Sequence, residues 1–315
     1  GPAVLTSTAP GRPPRQGDSA HTDTQAPSWA RRGSAVSERG LFAAVVVGVV
    51  GVLALWWHDT TILSGLGEWV TAAGRVTGLL GGYGIVVALL LMCRAPWIDH
   101  GLGSDRLARW HAMSGRFLIG LLSAHAVLII WGYSITSGTG LLAQTNLILV
   151  AVPNVLLAAI GYALLILVGG ISARQVRRRL AYETWYLVHL LTYIAIGVSF
   201  LHVITAGADF GWIGAKAAWI AMYAGVAALL VWYRWLNPVR NALRHQPRVA
   251  EVINEGPGVV SVVVAGHGFD RIDAQAGQFF RWRFLTRTGW WQSHPFSLSA
   301  VPTDSELRIT VKALG

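Results

Sequence analysis

Four of the ten histidines fall inside long apolar stretches, where an ionisable side chain is costly and demands a partner. His111 and His125 share one stretch, fourteen residues apart, and His189 and His202 share another, thirteen apart. Fourteen helical residues rise about 21 Å and return to within about 40° of the starting face. His111 and His125 can therefore face one neighbouring helix at two depths. Thirteen residues rise about 20 Å but leave the second ring about 140° away. The His189–His202 pair thus needs a bulge, a local unwinding or a helix crossing, with Gly197 as a soft point between them.

Two stretches crossing in the same direction pair these residues by depth, His111 with His189 and His125 with His202. Opposed imidazoles at two levels are what two haem irons with axial protein ligands require. Each ring's second nitrogen then needs a partner of its own. A single intramembrane histidine is more ordinarily a polar contact between helices or a transport residue. Two matched pairs favour iron. A proton relay would want buried carboxylates, and the third to fifth apolar stretches offer only Glu183, at an entrance.

The elements that must hold these residues are six apolar segments, at about 41–57, 70–93, 109–133, 146–172, 183–206 and 213–236. Each is of the order of the 20 residues that span a bilayer core. The whole chain has 315 residues, 53% hydrophobic and 13% charged, too apolar for an ordinary water-soluble domain. Trp56, Trp57, Trp69, Trp97, Trp110, Trp212, Trp232 and Trp235 lie near segment ends, where indoles favour the headgroup layer.

The net charge of +10 follows the loops. Arg31, Arg32 and Arg39 precede the first segment; Arg94, Arg106 and Arg109 follow the second. Arg174, Arg177, Arg178 and Arg179 follow the fourth, and Arg234, Arg240, Arg244 and Arg248 accompany the end of the sixth. The alternate loops carry Asp59, Glu68 and Asp209 and almost no cations. This bias predicts a multi-pass protein of the cell membrane with both termini cytoplasmic. No nucleic-acid motif accompanies the arginines, so membrane lipid is the expected partner and nucleic acid is not. The lone cysteine, Cys93, excludes an intrachain disulfide and a cysteine metal cluster, and reads as a packing residue.

Two intramembrane arginines stand out. Arg75 and Arg116 need partners at their depth. Haem propionates are natural ones, and snorkelling to the interface is the alternative for Arg75. Phe117 lies between the two histidine levels, as spacer or as plain packing.

Residues 1–38, rich in Ser, Thr, Ala, Pro, Gly and Arg, predict a disordered cytoplasmic tail. Residues 39–238 predict the six-helix bundle. From about 246 to 315 the pattern turns to short strands, Val249 to Ile253, Val259 to Val264, Phe279 to Phe284, Phe296 to Ala300 and Leu307 to Lys312. The fold class is thus mainly α and membranous, followed by a partial antiparallel β-barrel. The chain starts without Met, and the barrel is expected to be cut short at Gly315.

Six helices, histidine pairs on the third and fifth, and a following barrel resemble the ferric reductase and NADPH oxidase superfamily over about residues 40–315. A second element agrees. Gln278-Phe279-Phe280 followed by His294-Pro295-Phe296-Ser297-Leu298-Ser299 is similar to the flavin signature of the ferredoxin-reductase-type barrel. The resemblance implies that the Ser297 hydroxyl and main-chain groups of Phe296 and Leu298 contact an isoalloxazine. It also implies that Lys312, in Val311-Lys312-Ala313-Leu314-Gly315, faces the FAD diphosphate.

The implied activity is oxidoreduction across the membrane. Electrons would pass from cytoplasmic NAD(P)H through FAD and two b-type haems to an external acceptor, ferric iron or a ferric chelate. No side chain need act as acid, base or nucleophile. The nicotinamide-binding domain expected after the barrel is not in this chain. Some oxidases of the superfamily carry a further histidine four residues after the outer ligand, where this chain has Ile129. A superoxide-producing oxidase that reduces O2 remains an alternative. So does a cytochrome subunit serving a separate dehydrogenase or acceptor protein, and so does a haem-binding transporter or sensor without electron flow.

Overall fold

A computed structural model describes residues 3–7, 36–60, 63–272, 279–285 and 294–312. Six of its helical runs are long and apolar enough to cross a membrane. The helices are α1 (Glu38–His58), α2 (Leu66–Leu91), α3 (Pro96–Leu102), α4 (Ser104–Ser137), α5 (Leu141–Ala151), α6 (Val155–Ser172), α7 (Arg174–Arg177), α8 (Tyr182–Ala206), α9 (Ile213–Val231) and α10 (Asn237–His245).

Local chemistry sets the ends. Pro96 opens α3, where its missing N–H costs nothing. Gly103, at φ 80°, closes α3 and lets α4 begin at once. The fourth segment, expected as one span over 146–172, is two helices. Pro153 cannot donate to a helical carbonyl and pushes Val152 out of the helical region, to φ −90° and ψ 126°. Asn154 then takes a left-handed conformation at φ 61° and starts α6. A π-helical turn, Trp232–Leu236, joins α9 to α10 without a break. Pro238 lies at the start of α10, so the widened turn spares the carbonyl that its ring would strike.

The chain forms two compact units. One comprises Phe42–Leu89 and Arg109–Val226, the membrane bundle. In it α6 and α8 pack closely. A Cβ added to Gly161 would fall 2.7 Å from the Ala195 carbonyl, so only glycine permits this approach. A second contact zone gathers Val52, Leu79, Phe210, Ala215 and Trp219.

The other unit comprises Gly1–Leu41, Leu90–Ala108 and Ala227–Gly315. It holds β1 (Ala3–Ser7), β2 (Arg248–Gly256), β3 (Val259–Ala265), β4 (Phe279–Phe284), β5 (His294–Ser297) and β6 (Glu306–Lys312). All pairings are antiparallel, in sheets ordered β1-β4-β5 and β2-β3-β6. A bridge between Leu298 and Ile309 connects the two. Val264, Phe269, Phe280, Trp282, Leu298, Leu307 and Ile309 form the buried core. Cys93 in this unit is fully buried, which pushes its thiol pKa up and suits the packing role.

Composition predicted no structure anywhere in residues 1–38. The structure differs at both ends of that range, with β1 at Ala3–Ser7 and α1 starting at Glu38. Ala3–Ser7 pairs along β4, from Ala3 opposite Phe284 to Ser7 opposite Phe280. A strand edge offers unpaired main-chain groups to any extended segment, and Ala3-Val4-Leu5-Thr6-Ser7 lacks the proline and charge that bar it from pairing. The remaining tail residues up to 35 lie outside the described residues.

Candidate functional site

His111 and His125 both project from α4 toward α2. His111 Nδ1 lies 3.1 Å from the Ala88 carbonyl, and His125 Nδ1 lies 2.8 Å from the Gly74 carbonyl. The acceptors are fourteen residues apart, as the histidines are. The helices run antiparallel, so equal spacing keeps both contacts in register. A carbonyl can only accept, so each Nδ1 carries the proton and each Nε2 presents its lone pair. Close approach is needed at the His125 level. A Cβ built on Gly78 would fall 2.5 Å from His125 Nδ1.

The α8 histidines meet these two by depth. The rings of His111 and His189 have centroids 6.0 Å apart with planes at 76°. His202 lies within electrostatic range of His125. His189 Nδ1 is 3.4 Å from the Ser172 hydroxyl. His202 Nδ1 is buried and has no partner among the described residues. The bulge or unwinding expected between His189 and His202 is not there. The α8 helix is regular from Tyr182 to Ala206, and a Cβ on Gly197 would touch nothing. Helix crossing is the remaining correction for the azimuth.

These residues fit a metal that brings most of its own ligands. Among the described residues no group of three or more His, Cys, Asp or Glu side chains gathers to hold an ion. Two imidazoles on one iron need ring centroids roughly 6 Å apart, from two metal–nitrogen bonds of about 2 Å and the ring radii. The His111–His189 pair has that separation. Its second-nitrogen partners are of the kind that orient axial histidines.

The arginines are placed differently from expectation. The partner of Arg75 is Asp209, in the short loop before α9. The guanidinium bonds both carboxylate oxygens, one from Nε at 3.1 Å, and its Nη2 also donates to the Asp59 carbonyl at 3.2 Å. Asp209 is buried, with its side chain 4% exposed. By sequence Asp209 is one of three carboxylates, with Asp59 and Glu68, on the loops at that end of Arg75's helix, and nothing local selects it as the partner. Arg116 is exposed on α4, and Phe117 beside it is 70% exposed, so Phe117 is not a packing residue in this unit.

In the β-region, β5 carries His294, Pro295, Phe296 and Ser297, and it is followed by Leu298 and Ser299. His294 and Phe296 share a face and stack at 6.0 Å, while Ser297 is exposed. The Phe296 carbonyl accepts the Trp282 indole N–H at 3.3 Å, so this oxygen is engaged within the barrel. Leu298 is buried in the core, and Ser299 N donates to the Arg308 carbonyl at 2.8 Å. Lys312 is exposed at the end of β6. Extending the Leu298–Ile309 register sets Lys312 level with Pro295. Gln278 and Ala313 to Gly315 lie outside the described residues.

Two family models match. One, described as a ferric reductase like transmembrane component, covers residues 77–200. The other, described as an FAD-binding domain, covers residues 244–315. The chain belongs to the ferric reductase and NADPH oxidase superfamily. Its superfamily membership makes it an oxidoreductase-type, multi-pass membrane protein built for transmembrane electron transfer with a flavin. The first match contains His111, His125 and His189 and stops two residues before His202. The second contains His294 to Ser299 and Lys312. Comparison with curated proteins gave no match.

Proposed function

We propose that this superfamily member moves electrons from cytoplasmic NAD(P)H, by way of FAD, across the cell membrane to ferric iron or a ferric chelate outside. The observation that carries this reading is the pair of histidine levels on α4 and α8. At both levels the α4 imidazole has its Nδ1 anchored on a main-chain carbonyl of α2. When bound, two b-type haems would supply the one-electron chemistry. His111 and His189 would hold the inner one, and His125 and His202 the outer one. The protein's own work is positioning. Main-chain carbonyls fix the α4 rings, and Gly78 leaves the volume that the His125 ring occupies.

On the cytoplasmic side, the exposed Ser297 hydroxyl and the cation of Lys312 are the groups of the signature free to bind a flavin ring and its phosphates. His294, Pro295, Phe296, Leu298 and Ser299 would shape that slot. The nicotinamide site would lie outside this chain's 315 residues, on a further domain or a separate dehydrogenase. The loop charges support cytoplasmic termini. Ile129 supports a reductase over an oxygen-reducing oxidase. Its side chain fills the space beside Gly74, at 3.0 Å from a Cβ built there, where the extra histidine of some oxidases would stand.

The test is a reduced-minus-oxidised absorption spectrum with haem and flavin quantitation on the detergent-purified chain and its His202→Ala variant. A b-type spectrum with about two haems per chain, falling toward one in the variant, is the expected result. Folded protein that takes up no haem would end the electron-transfer reading.

A further inference from the structure

His189 has a more elaborate setting than a ligand needs. Trp185, one turn earlier on α8, stacks on its ring with centroids 5.1 Å apart and planes at 25°. The indole N–H donates to the Ser172 hydroxyl at 3.2 Å, and the same oxygen lies 3.4 Å from His189 Nδ1. Ser172 ends α6, so one hydroxyl ties indole and imidazole together at the α6–α8 junction. The indole also carries a cation. The Arg177 guanidinium sits 4.5 Å from the Trp185 ring and 5.6 Å from the Tyr182 ring. Its neighbours Arg174, Arg178 and Arg179 are exposed, whereas Arg177 is half-buried. Membrane topology explains a cationic loop but not the withdrawal of one arginine onto two aromatic rings.

We propose that Ser172, Trp185 and Arg177 are positioning residues for the inner axial histidine, which rests on the reading that His111 and His189 hold a haem. The stacked indole fixes the plane of the His189 ring. With iron held at Nε2, His189 Nδ1 would carry the proton and donate to the Ser172 oxygen. The Arg177 charge, held against the stack, disfavours the more positive oxidised state of the inner site and so raises its reduction potential. The cation thus makes the inner site easier to reduce than it would be without it.

The experiment uses the full chain in detergent micelles, with redox titration of the haem absorbance and electron paramagnetic resonance of the oxidised protein. Trp185→Phe, Trp185→Leu, Arg177→Lys and Arg177→Gln are each compared in the wild-type and His202→Ala backgrounds. The second background leaves the inner site as the single reporter. Arg177→Gln should lower the inner midpoint and Arg177→Lys should hold it. Trp185→Leu should change the inner resonance signal and Trp185→Phe should restore most of it, with the outer site unmoved throughout. If Trp185→Leu does not accumulate, Trp185→Phe and the two arginine variants carry the test. Variants indistinguishable from the parent, or ones that shift both sites equally, overturn the proposal. A parent chain without haem overturns the underlying reading instead, and the two failures are told apart by the parent spectrum.

Discussion

Gly78 and His125 are in contact so close that no other residue fits between their helices. A Cβ on the glycine would lie 2.5 Å from the imidazole Nδ1. The nitrogen is at the same time 2.8 Å from the Gly74 carbonyl, so the ring has no freedom to retreat and keep its hydrogen bond. Gly78→Ala should therefore displace the outer histidine, costing about 1–3 kcal/mol, and lower haem content from about two per chain toward one. Gly197→Ala adds a methyl that would touch nothing and should leave both levels intact. Haem quantitation on the two variants is the check, and equal loss in both would refute the steric account.

Removing Asp209 should be among the most damaging changes outside the histidines. Its carboxylate is buried against the Arg75 guanidinium, and Asp209→Ala leaves an uncompensated charge there. Such breaks cost about 3–5 kcal/mol. A fall of roughly 6–20 °C in the unfolding midpoint is expected for a unit of this size. Arg75→Met paired with Asp209→Leu should recover much of it, because no lone charge is left behind. A double variant as unstable as the single would show that the pair does more than neutralise itself.

Flavin retention should depend on the exposed polar groups of the signature and not on its buried ones. Ser297→Ala removes a hydroxyl with no packing role. It should weaken FAD binding about tenfold, the worth of one good hydrogen bond. Lys312→Gln should weaken it in a salt-dependent way. Leu298→Ala should instead destabilise the barrel itself, by about 2–5 kcal/mol, since that side chain is 2% exposed. Fluorescence of FAD titrated into the flavin-depleted chain separates the three.

The β-region should lose stability in acid through Glu255. The Ser261 hydroxyl, and after it the Arg308 guanidinium, hold the Glu255 carboxyl below its ordinary pKa. The contribution is present in full above the unfolded value of about 4.3. It disappears as pH falls through the lower folded value. Glu255→Gln should flatten that part of the profile and leave stability at neutral pH only slightly reduced, because the pair is exposed. Melting curves at a series of pH values would show it, and an unchanged acid limb in the variant would rule the carboxylate out.

Much of this arrangement was readable from residue types. The spans came from apolar length, and the strand sequence from Val249 to Lys312 came from alternating and β-branched runs. The depth pairing of His111 with His189 followed from counting residues along two helices that run the same way. What was not readable depended on a partner distant in sequence. Asp209 is 134 residues from Arg75, and nothing local marks either as half of a pair. The Ala88 and Gly74 acceptors are main-chain atoms, which every residue has, so no side chain announces them. The split at Pro153 was local, yet the apolar residues on both sides masked it. Counting thirteen residues as an azimuthal misfit treated α8 as an isolated cylinder, whereas the direction a ring faces also depends on how helices cross.

Because α2 and α4 offer acceptors and imidazoles at the same interval, the two helices behave as a matched pair of scales read against each other. Neither scale can gain or lose a single mark alone. One residue deleted between Gly74 and Ala88 would turn the far carbonyl by about 100° and draw it about 1.5 Å along the axis, stranding one histidine while leaving the other seated. The vertical gap between the two levels is therefore a quantity the backbone counts out, insensitive to loop length and side-chain drift. Evolution can retune either level freely, but it can respace them only by editing both helices at once.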